Sequence, residues 1–258
     1  MDPKVLVASP TYIGMNYCED EFLQALKNIE YPNFDILIID NSKEDFYFNK
    51  LKEIKGINVI RDNFQEGYAL KRVIHSRNKI LDYALENNYD FVFMVDSDVI
   101  IPKNILLELL KQNKNIVSGI YHNYFKIDGK QKLRSVVWKD APQEVFDILK
   151  KQEKLPDFIR GPEDLRRHLT PEEENSGKCI EVTIPSAGCI LISKKVFKVV
   201  RYGLLDLPGN LKSSDDVYFI KSARKKGFKV YCHTKLKCEH RIKGKYSEEG
   251  YHPIYDIK

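Results

Sequence analysis

The sequence contains few cysteines, and their spacing does not indicate a structural role. There are five of them, an odd number, and no two are spaced as in a CxxC motif. A disulfide framework and a structural zinc site are therefore both disfavoured, and reduced thiols are expected. The cysteines are Cys18, Cys179, Cys189, Cys232 and Cys238.

The sequence also lacks any long hydrophobic run. No stretch approaches the roughly 18 apolar residues that cross a bilayer, and the first apolar run is too short for a signal peptide. We therefore expect a cytoplasmic protein whose contact with a membrane is at most peripheral.

A strong charge of one sign is missing as well, since 42 Lys and Arg stand against 37 Asp and Glu, a net charge of +5. This mild excess suits a phosphate-bearing ligand or weak attraction to an anionic membrane surface. It is too small to indicate nucleic acid, and no motif of a nucleic-acid-binding fold is present.

Strand and helix patterns alternate through the first 120 residues. Short apolar runs predict strands, and apolar residues at helical spacing predict helices. The predicted strands are 4–8, 34–39, 57–60 and 91–95, and the predicted helices are 19–29, 46–54, 71–87 and 102–112. Uninterrupted apolar strands that alternate with helices indicate an α/β fold with a mostly parallel central sheet covered on both faces. A length of 258 residues fits one such domain.

The second half is less regular. We predict a strand over 116–121 and a basic hairpin over 126–140 that turns at Asp128-Gly129 and runs to Trp138. The charged, proline-containing segment 141–178 is interpreted as an insertion of short helices and loops. The remaining predictions are strands over 179–185, 189–193 and 229–233, and a helix over 215–227. A polar, basic tail is expected from residue 235.

Two carboxylates, Asp96 and Asp98, follow the predicted strand 91–95 with Ser97 between them. In extended chain such residues point to the same side and repel each other, unless a cation lies nearby. Mg²⁺ and Mn²⁺ take oxygen ligands and often share them with a diphosphate. The alternative is a solvated turn, or an N-cap for the next helix. Because Asp40 also ends a strand, and ligands bind at the carboxyl ends of parallel strands, we favour a metal site.

Six short segments together resemble glycosyltransferases of the GT-A fold, closest in pattern to family 2. They are VASPTY (7–12), IIDNS (38–42), SRN (76–78), DSD (96–98), SAGC (186–189) and SDDVYF (214–219). The similarity covers most of residues 3–240, although segment 126–178 matches no motif of the family. The resemblance implies a metal-dependent enzyme that uses a nucleotide-sugar donor.

The resemblance also implies roles for individual residues on the donor side. Contacts to the base and ribose fall to Pro10, Thr11 and Tyr12. Asp40 would accept a hydrogen bond from a base N–H, and Arg77 would pair with phosphate or hold Asp40 and Asp96 in place. Asp96 and Ser97 would lie against the donor. The alternatives are a plain loop at 10–12, an Asx-turn at 40–42 and a solvated charge at Arg77.

On the catalytic side, the family pattern makes Asp216 the base that takes the acceptor's proton in an inverting transfer, with Asp215 orienting the acceptor. Capping of the helix by Ser214 or Asp215 is expected as well. The metal would be held by Asp96, Asp98 and His240. For the histidine, the alternative is an ordinary surface or packing role.

The expected cofactors are Mn²⁺ or Mg²⁺ and a nucleotide sugar, with UDP-sugar the first choice and GDP-sugar the second. A glycan, lipid or protein would be the acceptor, with donor contacts in 1–120, acceptor contacts in 121–240 and a basic tail over 241–258. A nucleotidyltransferase is one rival, but residues 9–15 contain a single glycine and no Lys or Arg, unlike its usual basic Gly-rich loop. A non-catalytic nucleotide-sugar-binding module is the other.

Overall fold

A large mixed sheet organises the chain in the computed structural model, which describes residues 2–127, 129–156, 159–207, 211–247 and 250–253. The strands are β1 (Val5–Thr11), β2 (Phe34–Asp40), β3 (Asn58–Arg61), β4 (Phe91–Val95), β5 (Val99–Ile100), β6 (Ile116–Ile120), β7 (His122–Ile127), β8 (Lys130–Ser135), β9 (Trp138–Asp140), β10 (Arg166–His168), β11 (Cys179–Glu181), β12 (Cys189–Ser193), β13 (Asp206–Leu207), β14 (Leu211–Lys212), β15 (Tyr231–Lys237), β16 (Glu239–His240), β17 (Gly244–Ser247) and β18 (Gly250–Pro253). The helices are α1 (Glu19–Lys27), α2 (Asp45–Lys52), α3 (Ala69–Glu86), α4 (Ile105–Lys111), α5 (Gln143–Lys151), α6 (Pro171–Glu174), α7 (Lys194–Phe197) and α8 (Asp215–Lys225).

The large sheet has the strand order β3-β2-β1-β4-β12-β6-β15-β11. Its first four strands are parallel, as are β6 and β15. β12 runs antiparallel to both of its neighbours, and β11 is antiparallel to β15. Six of these eight strands therefore point the same way, which confirms the predicted mostly parallel central sheet.

Helices cover both faces of this sheet. Leu6 and Ala8 of β1 pack into a core with α3, α7 and α8, and Val5 and Val7 pack into a second core with α1, α2 and α4. All four of these side chains are 0% exposed. Burial on both faces explains why the strands read as uninterrupted apolar runs.

The predicted hairpin is wrong in its extent. β7 and β8 pair over residues 122–127 and 130–135, and Trp138 belongs to a separate two-stranded sheet of β9 and β10. The hairpin ends at Ser135 because Val137, two residues later, is buried in the core, where it is 0% exposed. Of the predicted turn, Asp128 lies outside the described residues.

The end of the large sheet also differs from the prediction. The strand predicted over 229–233 begins at Tyr231 and runs on to Lys237, so the supposed tail from residue 235 is partly in the sheet. The strand predicted over 179–185 ends at Glu181. β16 follows and pairs with β5, which brings His240 opposite Val99.

None of the described helices is long and apolar enough to cross a membrane.

Candidate active site

The proposed site lies at the carboxyl ends of β1, β2 and β4. In register, Thr11 is the partner of Asp40, so the first two strands end side by side. Asp96 directly follows the last residue of β4. This is the sheet edge at which ligands bind in folds of this type.

A buried arginine joins this edge to the start of α8. Arg77 is 5% exposed, and its Nη2 donates to Asp96 Oδ1 at 2.6 Å while its Nη1 donates to Asp215 Oδ2 at 2.7 Å. Its guanidinium carbon lies 5.3 Å from the ring centre of Tyr202. Burial alone lowers the pKa of Arg77, but the two carboxylates outweigh it and raise the pKa well above its ordinary value. Arg77 is therefore a permanent charge that links two carboxylates, and it is not a solvated helix residue.

A glycine makes room for the carboxylate of Asp96. A Cβ at Gly188 would lie 2.7 Å from Asp96 Oδ2 and 2.8 Å from the Tyr121 hydroxyl oxygen. The Gly188 carbonyl accepts the Asp96 N–H at 3.0 Å. Burial raises the pKa of Asp96 against the opposing effect of Arg77, and Asp98 and Asp215 raise it further. Within the segment 186–189, the residue at position 188 must therefore be small so that the carboxylate of Asp96 has room.

Asp98 lies against His240. Their Oδ2 and Nε2 atoms are 3.3 Å apart, and His240 Nδ1 lies 3.3 Å from the carbonyl oxygen of His122. Burial lowers the pKa of His240, but the hydrogen bond and charge of Asp98 outweigh it, so the net shift is upward. When Nδ1–H donates to the carbonyl, Nε2 faces the carboxylate and needs either a proton or a cation between the two groups.

This carboxylate–imidazole pair fits two ligands of one divalent ion. Ligands at about 2.1 Å from Mg²⁺, at right angles, are about 3 Å apart. Donation of the other ring N–H to a backbone carbonyl is also the usual support of a metal-bound histidine. Within the described residues, however, no group of three His, Cys, Asp or Glu side chains is arranged to hold an ion. Asp96, the third expected ligand, has one of its oxygens turned to Arg77.

The alternative role of the D-S-D segment, capping of the next helix, is wrong. Asn104 occupies the N-cap position of α4 and makes no side-chain capping bond. Ser97 is 6% exposed, and its carbonyl accepts the Cys18 thiol at 3.3 Å.

Asp40 forms the Asx-turn that the sequence offered as one of its roles. It is 0% exposed, and its Oδ1 accepts the Ser42 N–H at 3.0 Å and the Ser42 hydroxyl at 2.6 Å. Its Oδ2 pairs with Arg61, which is the register partner of Asp40 on β3. The cation that holds Asp40 is therefore Arg61 and not Arg77. Two charged residues at the ends of adjacent strands were the sequence feature that could have revealed this pair.

The last two residues of β1, Pro10 and Thr11, and the residue that follows, Tyr12, differ in exposure. Thr11 is buried and its carbonyl accepts the Asn41 N–H at 2.9 Å, and Pro10 is half-buried. Tyr12 is 40% exposed, and any side chain at Gly14 would collide with its ring. Tyr12 is thus the member of this group with a free surface for a ligand.

The acidic pair at the start of α8 is divided between two roles. Asp215 is buried and turned to Arg77, whereas Asp216 is half-buried and accepts the Val217 N–H at 2.7 Å. Ser214 occupies the predicted N-cap position of α8 with an extended backbone, but its side chain makes no capping hydrogen bond.

A cleft of about 380 Å³ opens beside His240. The hairpin of β7 and β8 forms one wall, and the segment after β15 forms the other. Its lining includes His122, Tyr124, Leu133, Cys238, His240 and Ile242.

The mostly parallel sheet with helices on both faces is the fold of GT-A glycosyltransferases. The protein-family model for glycosyl transferase family 2 matches residues 20–201. This is well over half of the chain, and the chain belongs to that family.

Solved glycosyltransferase structures share the fold. A mannosyltransferase, PcManGT from Pyrobaculum calidifontis in complex with GDP-Man and Mn²⁺, has a TM-score of 0.56 at 14% identity, over 97% of this chain and 59% of that one. GalNAc-T7 with UDP, GalNAc and Mn²⁺ has a TM-score of 0.62 at 14% identity, over 92% of this chain and 44% of that one. This chain therefore spans about three fifths of the first structure and less than half of the second.

One curated relative is named for an activity other than sugar transfer. "3-Dehydroquinate dehydratase" from Methanococcus maripaludis (strain C6 / ATCC BAA-1332) is 29% identical over 171 residues, which are 64% of this chain and 72% of the relative. This likeness is too distant to transfer an activity.

Proposed function

We propose that this chain transfers a sugar from a nucleoside-diphosphate donor to an acceptor hydroxyl, with the help of a divalent ion. The observation that carries the proposal is the Arg77 bridge. It fixes Asp96, in the segment where the family holds its metal, against Asp215, which begins the helix that carries the candidate base. Arg77 and Asp215, which are 138 residues apart in the sequence, are thereby joined at the sheet edge where a donor would bind.

The residues proposed to hold Mn²⁺ or Mg²⁺ are Asp98 and His240, with Asp96 adding the oxygen that does not bind Arg77. Two or three protein ligands are enough for such ions when substrate phosphates and water supply the rest. When bound, the ion would neutralise the negative charge that grows on the departing diphosphate.

Asp216 is the proposed base. Its carboxylate would accept the proton of the acceptor hydroxyl as that oxygen bonds to the anomeric carbon and the bond to the diphosphate breaks. This would give inversion at that carbon. Asp215 is poorly suited to the same task because it is buried and bound to Arg77. Its proposed role is to hold the start of α8 in place instead of orienting the acceptor.

For the donor base, we propose that Tyr12 offers its exposed ring, with Pro10 and Thr11 beside it. Asp40 would contact a base N–H only after exchanging one of its present partners, Ser42 or Arg61. UDP remains the first choice and GDP the second. The acceptor is proposed to be a glycan, lipid or protein that enters through the second half of the chain, where the cleft beside His240 lies.

The proposal is tested by incubating the protein with UDP-sugars and GDP-sugars and Mn²⁺, and measuring the nucleoside diphosphate released. Asp98→Ala should abolish the release and leave the circular dichroism spectrum unchanged. The control Asp20→Asn, at an exposed position of α1, should keep full activity. Loss of the fold in Asp98→Ala would favour a structural role for the D-S-D segment.

The rival activities are tested with the same preparation. Release of pyrophosphate from a nucleoside triphosphate and a sugar phosphate would favour a nucleotidyltransferase. Consumption of 3-dehydroquinate without any nucleotide chemistry would favour the activity named for the Methanococcus relative. Nucleotide-sugar binding with no turnover of any substrate would favour a non-catalytic module.

A further inference from the structure

The two faces of the small sheet of β9 and β10 differ in how their arginine side chains are paired. Arg166 is opposite Asp140, and His168 is opposite Trp138. Directly opposed residues and alternate residues of a strand share a face, so these four side chains lie together. The other face carries Arg167, whose two Nη atoms donate to Glu173 at 2.6 and 2.8 Å.

Arg166 is a half-buried cation that has no bonded partner in the described part of the chain. No hydrogen bond or ion pair of those residues involves its guanidinium. Even Asp140, directly across the sheet, binds Arg224 with Oδ2 at 3.2 Å, while its buried Oδ1 has no partner. Burial lowers the pKa of Arg166, although the charges of Asp140 and Asp216 act in the opposite direction. A guanidinium that is partly dehydrated and unpaired can bind an oxyanion strongly, because its N–H groups can donate hydrogen bonds to two oxygens at once.

Two aromatic side chains, Trp138 and His168, share this face of the small sheet with Arg166. The ring of His168 packs against those of Trp138 and Phe125, with centroid distances of 3.9 and 4.7 Å. Its Nδ1 donates to the Ser135 carbonyl at 3.0 Å, and burial lowers its pKa, which disfavours the charged form of the ring. Neutral aromatic surface with a few placed polar groups is typical of small-molecule sites.

We propose that Arg166 is a specificity-determining residue that binds a phosphate or carboxylate group on the acceptor. The ion pair of Asp140 with Arg224 joins the sheet that carries Arg166 to α8, the helix that begins with Asp215 and Asp216. The inference rests on the proposed function, since it concerns the acceptor of that transfer. It narrows the acceptor to a sugar or sugar-like molecule that bears an oxyanion, with its ring against the aromatic side chains on the same face as Arg166.

The test compares Arg166→Gln and Arg166→Lys with the wild type. The probes are glucose 6-phosphate, glucuronate and glucose, and the measurement is titration calorimetry in the presence of UDP or GDP and Mn²⁺. We expect the wild type to bind one of the anionic sugars more tightly than glucose. Arg166→Gln should weaken that binding about tenfold or more, the range for a lost hydrogen bond to a charged group. Arg166→Lys should be intermediate, because it keeps the charge but loses the two-pronged geometry.

Arg160→Gln is the matched control, because it removes the same charge from an exposed position of the same insertion. It should bind the anionic sugars as the wild type does. The melting temperature of Arg166→Gln should equal or exceed that of the wild type, since the lost cation has no bonded partner to leave behind. A lower melting temperature together with unchanged sugar binding would mean a structural role and would overturn the proposal.

Other outcomes also overturn it. They are equal binding of glucose and both anionic sugars to the wild type, unchanged affinity in Arg166→Gln, and an effect of Arg166→Gln on nucleotide binding alone. A preference for glucose 6-phosphate or for glucuronate supports the proposal and shows which oxyanion is recognised. Failure of the wild type to bind any nucleotide would instead count against the proposed function.

Discussion

Replacing Arg77 by methionine should lower the free energy of unfolding by an amount that follows from its ion pairs with Asp96 and Asp215. The change keeps an unbranched side chain of similar length but removes two charge-assisted hydrogen bonds, of 2.6 and 2.7 Å, from a site that is 5% exposed. Each such bond contributes about 1.5–3 kcal/mol, and removing one partner of a buried ion pair costs about 3–5 kcal/mol. We therefore expect the free energy of unfolding to fall by about 3–5 kcal/mol, a large part of the usual total.

The loss should depend on pH. Arg77 is the group that holds down the pKa of Asp96, which burial already raises, so in Arg77→Met that pKa rises further. A carboxyl whose pKa is higher in the folded than in the unfolded state stabilises the fold at low pH, and this contribution disappears as pH rises through the folded pKa. The deficit of Arg77→Met relative to the wild type should thus be larger at pH 8 than at pH 5.

Urea unfolding followed by far-ultraviolet circular dichroism, at pH 5 and pH 8, measures both effects. Arg72→Met is the control on the same helix, because Arg72 makes one bond of 3.1 Å to the exposed Gly67 carbonyl. Its loss should cost about 1 kcal/mol or less. A deficit of this small size for Arg77→Met, or one that is equal at the two pH values, would refute the reasoning.

Two further predictions concern packing and charge. Gly188→Ala should destabilise the fold by about 1–3 kcal/mol and abolish donor turnover, because the new methyl group would displace Asp96 or Tyr121; near wild-type turnover would contradict the steric account. Glu173→Gln should lower the free energy of unfolding by about 1–2 kcal/mol at pH 7. The reason is that the hydrogen bond from Arg167 is the main cause that holds the pKa of Glu173 far below its usual range. A lowered carboxyl pKa stabilises the fold above the unfolded pKa, and this contribution fades as pH falls towards the folded value. The cost should therefore shrink in urea unfolding at pH 3, and a cost that does not change with pH would show that the charge of Glu173 is not responsible.

The parts of the fold that the sequence predicted well are those coded by local pattern. The residues of β1 from Val5 to Ala8 are uniformly apolar because each face of the sheet is covered, and the spacing of apolar residues in α3 marks its buried side. The apolar run 91–95 placed Asp96 and Asp98 at a strand end, where the structure also has them. These features need only a few neighbouring residues to be recognised.

The parts that were missed depend on contacts between distant segments. No local pattern links Arg77 to Asp215, and nothing near His240 indicates that its strand pairs with β5. The extension of β15 was missed although Thr234, Leu236 and Cys238 alternate with exposed charged residues, a strand pattern hidden by the basic composition. The small sheet that carries Arg166 is set by pairing between β9 and β10 across the intervening segment 141–165, which contains α5, and periodicity cannot reveal such pairing.

The central claim is that Asp98 and His240 hold a divalent ion for a nucleoside diphosphate. Titration calorimetry of UDP and GDP, with and without Mn²⁺, tests it most directly in the wild type, Asp98→Asn, His240→Ala and the control Asp20→Asn. We predict that Mn²⁺ tightens the binding of one nucleotide in the wild type and the control, and has no such effect in the other two variants, which remain folded. Binding that is indifferent to Mn²⁺ in the wild type, or that keeps its dependence on Mn²⁺ in both Asp98→Asn and His240→Ala, would contradict the account.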